Sequence, residues 1–410
     1  MDAKVVKPHH KTWLEDHNKP KTMAIDRLSA LPLDIIHHIL SFNVPTLEVV
    51  RISLLSSQVL DRYTNSDLVV TKFKLDIRYR FVYLNEVKEL DLCIRTVFPG
   101  RFFFLFPDTI SLTSCTSIKL YGWTLNHLRF TNNLPSLNSM SLENVQLDDQ
   151  VLHNLLTACC SLEKLVLKHC ANLLKPRISN SSLKFLEIVH SSYETTFEVE
   201  ATNLQSLVYD GGPSYCRISL SSSCHKLQHP SLSNTSLHEQ RLKDIIPSLL
   251  LIESLNLCNC KIPRIEFWSD SLKHLVIRES RNYNVLQTTI RTPNLVSFNF
   301  EGELLTKFSR YAPNILRANI NLHNRTSYYD TQWYNDLIDF LRNVDYSESL
   351  SLQVCSKEAI IFPSRFRSLC SPLPTLKHLK LRIHSPHWRE SELRDSLLWA
   401  APSLETLNID

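Results

Sequence analysis

The chain has 410 residues, is 43% hydrophobic and carries a formal net charge of +4 at pH 7. That charge is too small for this length to imply nucleic acid without a basic stripe, and 5 glycines with no GxGxxG or GxxxxGK[ST] spelling weigh against a phosphate-binding loop. Eleven cysteines follow a charged first stretch with no apolar leader, which predicts reduced thiols in an intracellular protein, nuclear or cytoplasmic.

Residues 1–24 are polar and basic, with Lys4, Lys7, Lys11, Lys19 and Lys21, and read as a disordered arm. Residues 25–60 then read as a small helical module. Leu31-Pro32-Leu33-Asp34 opens a helix whose apolar face is Ile35, Ile36, Ile39 and Leu40, with Pro32 where a first turn tolerates it. Asn43, Val44 and Pro45 end it, and Thr46 caps a second helix carrying Leu47, Val50, Leu54 and Leu55. A pair of helices this short cannot bury both of its sides, so apolar surface is left for a partner. Residues 61–86 read as a connecting segment. Phe102–Phe106 and 245–252 are apolar but fall well short of the roughly 20 residues a membrane span needs.

From residue 87 to 410 one phrase recurs: Leu-x-x-Leu-x-Leu. It is spelled Leu162-Glu163-Lys164-Leu165-Val166-Leu167, Leu272-Lys273-His274-Leu275-Val276-Ile277 and Leu376-Lys377-His378-Leu379-Lys380-Leu381. Looser copies begin at Val87, Cys115, Leu137, Leu183, Leu204, Leu227, Ile252, Leu295, Ile315, Ser347 and Leu404. Most intervals lie between roughly 20 and 29 residues, the leucine-rich-repeat period. The fold expected is an α/β leucine-rich-repeat solenoid: a curved parallel sheet with irregular or helical returns. Alternation along a strand turns Leu165 and Leu167 inward and Lys164, Val166 and Lys168 onto the concave face. Cys170 and Cys260 fall at the Asn/Cys place of the consensus and read as buried thiols. Helical returns are expected at Val151-Leu152-Leu155-Leu156, Leu242-Ile245-Ile246, Leu337-Ile338-Leu341 and Leu393-Leu397-Leu398. Pro135, Pro247, Pro293, Pro313, Pro374 and Pro402 stop the returns before the next strand.

The Leu31-Pro32 helix, the Pro45 break and Val49-Val50-x-x-Ser53-Leu54-Leu55-Ser56 resemble the start of an F-box. Followed by irregular leucine-rich repeats, they resemble the plant F-box/leucine-rich-repeat family. The resemblance implies a substrate receptor that binds a Skp-type adaptor, and through it a cullin, while the repeats hold a target protein. It implies adaptor contacts at Leu31, Pro32, Ile35, Ile36, Ile39, Leu40, Val49, Val50, Leu54 and Leu55. The chain departs from the family where Ser57-Gln58-Val59 stands in place of Arg-Trp. A second reading is therefore a stand-alone repeat scaffold with a degenerate F-box. The chain is also expected to stop inside a strand, at Asp410, without the capping module of many relatives.

No Ser/His/Asp or Cys/His constellation assembles from spacing, so a non-catalytic protein is expected, without cofactor. Cys159-Cys160 and Cys258-x-Cys260 lack the paired CxxC spacing of a zinc site. The concave positions start acidic, at Glu89 and Asp91, and end basic, at His274, Arg278, Arg317, His378, Lys380 and Arg382. Those six residues predict a contact surface for an acidic target segment. Interspersed acidic and small residues and few aromatics make a poorer fit to nucleic acid.

Overall fold

A computed structural model describes residues 72–76, 88–93, 104–105, 114–125, 134–190, 195–214, 216–235, 251–260, 264–279, 287–304, 308–311, 314–323, 329–383 and 390–410. All lie in one compact unit, Val69–Asp410. The ten adaptor-contact residues, and the return at Leu242, Ile245 and Ile246, lie outside the described residues.

In chain order the elements begin with β1 (Lys72–Asp76), β2 (Glu89–Cys93), β3 (Phe104–Leu105), β4 (Ser117–Tyr121), β5 (Trp123–Thr124) and β6 (Ser139–Glu143). Helix α1 (Asp149–Ala158) precedes β7 (Lys164–Lys168), β8 (Arg177–Ser179), β9 (Phe185–Val189), β10 (Thr196–Glu200), β11 (Ser206–Asp210), β12 (Arg217–Leu220) and β13 (His229–Ser233). Then come β14 (Ser254–Cys258), β15 (Arg264–Trp268), β16 (His274–Arg278), β17 (Gln287–Arg291), β18 (Ser297–Glu303), β19 (Phe308–Tyr311) and β20 (Arg317–His323). The last are α2 (Thr331–Arg342), β21 (Ser349–Val354), β22 (His378–Ile383), α3 (Glu390–Ala400) and β23 (Thr406–Ile409).

One 15-stranded sheet runs β1-β2-β4-β6-β7-β9-β11-β13-β14-β16-β18-β20-β21-β22-β23, with every neighbouring pair parallel. The sheet begins at β1, one strand earlier than the phrase at residue 87. Lys72–Asp76, in the stretch read as a connection, pairs with Glu89–Cys93. Shorter sheets lie along the returns: β12-β10-β8, β15-β17-β19 and β3-β5. A return made of strand is extended, which is why these repeats need no helix.

The two inner positions of the phrase form the core. Leu165 and Leu167, Leu186 and Ile188, Leu275 and Ile277, Phe298 and Phe300, and Leu350 and Leu352 are all at most 3% exposed. The strands from β4 to β22 of the large sheet carry both, so in-register stacking joins them into two apolar ladders, while Leu407 of the last strand is exposed. Phe300 meets Phe298 at 6.3 Å and Phe340 of α2 at 5.4 Å between ring centroids. Helix α2 fills the long gap between the Ile315 and Ser347 copies and buries Leu337, Ile338 and Leu341. Both α1 and α2 start on an aspartate cap: Val151 N–H donates to Asp148 (2.8 Å) and Trp333 N–H to Asp330 (2.9 Å). In α3, Leu393 and Leu397 are buried but Leu398 is 49% exposed. It is adjacent to Leu397 and so lies about 100° around the helix, off the buried stripe.

The prolines have a role more specific than helix stopping. Leu137, Leu295, Leu376 and Leu404 each donate their N–H to the carbonyl three residues back, at Leu134, Thr292, Leu373 and Ala401. Pro135, Pro293, Pro374 and Pro402 are thus the second residue of a four-residue turn, where a fixed φ near −65° suits the backbone. The turn delivers the first leucine of the phrase to the core: Leu137, Leu295 and Leu376 are fully buried.

Candidate protein-binding face

Strand ends are tightened by residues in the left-handed region: Asn144 (φ 50°), His169 (51°), Asn234 (47°) and Asn259 (57°). Asparagine tolerates this region better than most side chains. Asn259 donates to the Asn234 side chain (3.0 Å) and Asn234 to Asp210 (2.8 Å), tying three repeats together. Cys170 and Cys260 bridge repeats in another way, donating to the carbonyls of Leu142 (3.5 Å) and Leu232 (3.3 Å). Burial pushes both thiols up to about 12; Cys170 is fully buried as the consensus implies, whereas Cys260 is only half-buried. Asn180, in a glycosylation sequon, is buried, and its amide donates to the carbonyls of Leu156, in the last turn of α1, and Cys159, its C-cap.

The other strand face is open and polar. All six residues expected to bind an acidic target stand on it, on β16, β20 and β22. They divide into two sets. Arg278, Lys380 and Arg382 have carboxylate partners: Arg278 Nε lies 3.6 Å from Glu301, Lys380 Nζ 2.8 Å and Arg382 Nε 3.5 Å from Asp410. The hydrogen bond from Lys380, with Arg382 nearby, holds the Asp410 carboxyl below the usual range. Glu301 also approaches His323 (3.4 Å). The basic end is therefore partly neutralised by acids on the same face. The second set, His274, Arg317 and His378, makes no salt bridge among the described residues.

Two hollows indent this face. One, about 340 Å³, has a floor of Asn299, Asn319, Asn321, Ser351 and Gln353 between Arg278 and Arg382. Asn319 donates to the Asn299 side chain at 2.7 Å across it. The other, about 500 Å³, is lined by Asp210, Asn234, Asn259, Arg278, Glu279, Glu301 and His323 among others. Glu279 was invisible to strand alternation because it follows β16. Its carboxyl oxygen Oε1 is buried with no hydrogen-bond partner among the described residues, and burial, with Glu303 adding repulsion, pushes the group up to about 8. Glu301 has the same parity as Ser297 and Asn299, so the alternation that found Arg278 also exposes its partner.

Towards the start of the array the face is less polar than alternation predicts. Val166, at an outward position, is 5% exposed. Lys164 lies 5.2 Å from the Phe185 ring centroid, and Lys168 pairs with Glu187 at 2.7 Å. These neighbours on β7 and β9 cover the valine between them. Among the described residues no group of three or more His, Cys, Asp or Glu side chains could hold a metal ion. No described helix is long and apolar enough to cross a membrane.

A parallel sheet ordered by repeats, a core of leucine ladders and an open polar face define a leucine-rich-repeat solenoid. Residues 77–224 match the family model described as FBD-associated F-box protein At5g56370, LRR repeats. An Arabidopsis thaliana protein bearing an F-box/LRR-repeat name, At5g02700, is 30% identical over 180 residues, covering 35% of this chain and 38% of that protein. A second from the same plant, At3g28410, is 29% identical over 183 residues, covering 35% and 37%. The matches thus span less than two fifths of those relatives. Together they support the plant F-box/leucine-rich-repeat resemblance. An internalin (inlF) from Listeria monocytogenes aligns over 73% of this chain and 82% of its own, at 15% identity and a TM-score of 0.30, too low to support any assignment.

Proposed function

We propose that this chain is the substrate-recognition subunit of a Skp–cullin–F-box ubiquitin ligase. The F-box-like residues 31–56 bind a Skp-type adaptor, and the repeats hold a target protein on the concave face. The supporting observation is the coincidence, in one chain, of that F-box-like spelling with a plant F-box repeat match over residues 77–224. The receptor performs no bond chemistry; it raises the effective concentration of a target lysine near the ubiquitin-charged enzyme. The ten described cysteines are free thiols, which supports a reducing compartment, nucleus or cytoplasm.

The test is capture of a purified Skp-type adaptor by the full chain. Binding is expected, and Leu31→Asp or Ile36→Asp abolishes it. No capture by the folded protein sinks the ligase reading. It would favour the second reading, a repeat scaffold without an adaptor, which has support in Ser57-Gln58-Val59 replacing the family's Arg-Trp. A buried tryptophan or arginine at an interface often carries roughly 2 kcal/mol or more.

A further inference from the structure

From β11 to β23 the first outward position of the strands in the large sheet forms a row. In register it reads Ser206, His229, Ser254, His274, Ser297, Arg317, Ser349, His378 and Thr406. Hydroxyl residues alternate with nitrogen-bearing ones over nine strands. His229, His274 and Arg317 are exposed, and His378 is half-buried. The hydroxyls also orient two of the rings: His229 Nδ1 lies 3.0 Å from Ser254 Oγ and His378 Nδ1 lies 2.8 Å from Thr406 Oγ1. That leaves Nε2 of each ring for a ligand. Every member of the row can donate a hydrogen bond, and Arg317 can only donate.

Acids beside the row are mostly engaged elsewhere. Glu253 pairs with Lys273 (3.4 Å), Glu405 with Lys377 (3.5 Å) and Asp410 with Lys380 (2.8 Å). Glu348 is the nearby carboxylate with no ion pair among the described residues. The row's preference for anions therefore rests on aligned donors more than on net charge.

We infer that this row binds an extended acidic segment of the target whose carboxylates recur every third residue. The nitrogen-bearing positions are two strands apart, about 9.5 Å. A polyproline II chain rises about 9.3 Å in three residues and returns its side chain to the same side. A β-conformation alternates sides and repeats at about 6.7 Å, which misses the row. The inference rests on the target-binding reading of the concave face and names the class of segment held there.

The experiment uses the purified full chain and two labelled 12-residue peptides of equal composition, each with four glutamates among prolines. In one, glutamate stands at every third position; in the other the four are consecutive. Fluorescence anisotropy at low salt should show the periodic peptide binding at least tenfold tighter. Arg317→Glu should cost at least tenfold and flatten the salt dependence, while Lys175→Glu, at an exposed position just before β8 and away from the row, stays within about twofold. Circular dichroism checks that both variants fold. Equal affinity for the two peptides, binding of neither, or an Arg317→Glu variant that binds normally overturns the inference. So does a single-stranded RNA of equal length that binds tighter and loses binding in Arg317→Glu. The adaptor is absent from this assay, so failure here with adaptor capture intact leaves the receptor reading standing.

Discussion

Replacing Glu279 by glutamine should remove a pH-dependent weakness from the solenoid. Glu279 N–H donates to the Glu301 carbonyl at 2.7 Å, which seats the residue against β18. Its carboxyl lies over Gly302, where an added Cβ would come within 3.1 Å of Oε2. The group is pushed from the ordinary 4.5 to about 8, first by burial and then by Glu303. The folded state holds the proton more tightly than the unfolded chain does. Its contribution is complete below about pH 4.5, is lost as pH rises towards 8, and changes no further above that. At about 1.4 kcal/mol per pH unit, the full loss is on the order of 5 kcal/mol, an upper figure because water entry relieves part of it. Glutamine keeps the shape and does not ionise. Urea unfolding followed by circular dichroism at pH 5, 6, 7 and 8.5 should show wild-type stability falling relative to Glu279→Gln across that range. Slopes are compared rather than absolute values, since the buried amide carries its own cost. Parallel pH profiles for the two proteins would refute the reasoning.

Phe300→Ala should destabilise the array by about 3–5 kcal/mol in urea unfolding, because it empties a fully packed site against Phe298 and Phe340. Asp148→Ala should cost about 1 kcal/mol by loss of the α1 cap, with Asp148→Asn costing far less. In the native protein at pH 7.5, Cys160, Cys355 and Cys370 should alkylate with iodoacetamide while Cys170 and Cys260 resist, as read by peptide mass spectrometry. Rapid labelling of Cys170 before unfolding would contradict its packing.

The repeat phrase by itself determined the solenoid. Its period set strand spacing, and its alternation set the two core ladders and the outward row, because side-chain direction in a strand depends only on parity. The long gap before Ser347 foretold α2 for a similar reason: a return too long for a turn must bury its apolar face. Parity could not say what an outward residue meets on the next strand. Val166 is covered by neighbours, and Arg278, Lys380 and Arg382 are partnered by Glu301 and Asp410. Strand Lys72–Asp76 was missed because Val70-x-x-Phe73-x-Leu75, a loose copy of the phrase, comes before the Val87 copy at an interval short of the repeat period; pairing with β2 makes it part of the sheet. The prolines were legible as stops, but that they hold the second place of a turn depends on bonds closed three residues apart. Charge sign is written in the sequence, whereas charge partnership and the burial of Glu279 depend on register between strands roughly 20 to 30 residues apart, which tertiary structure alone decides.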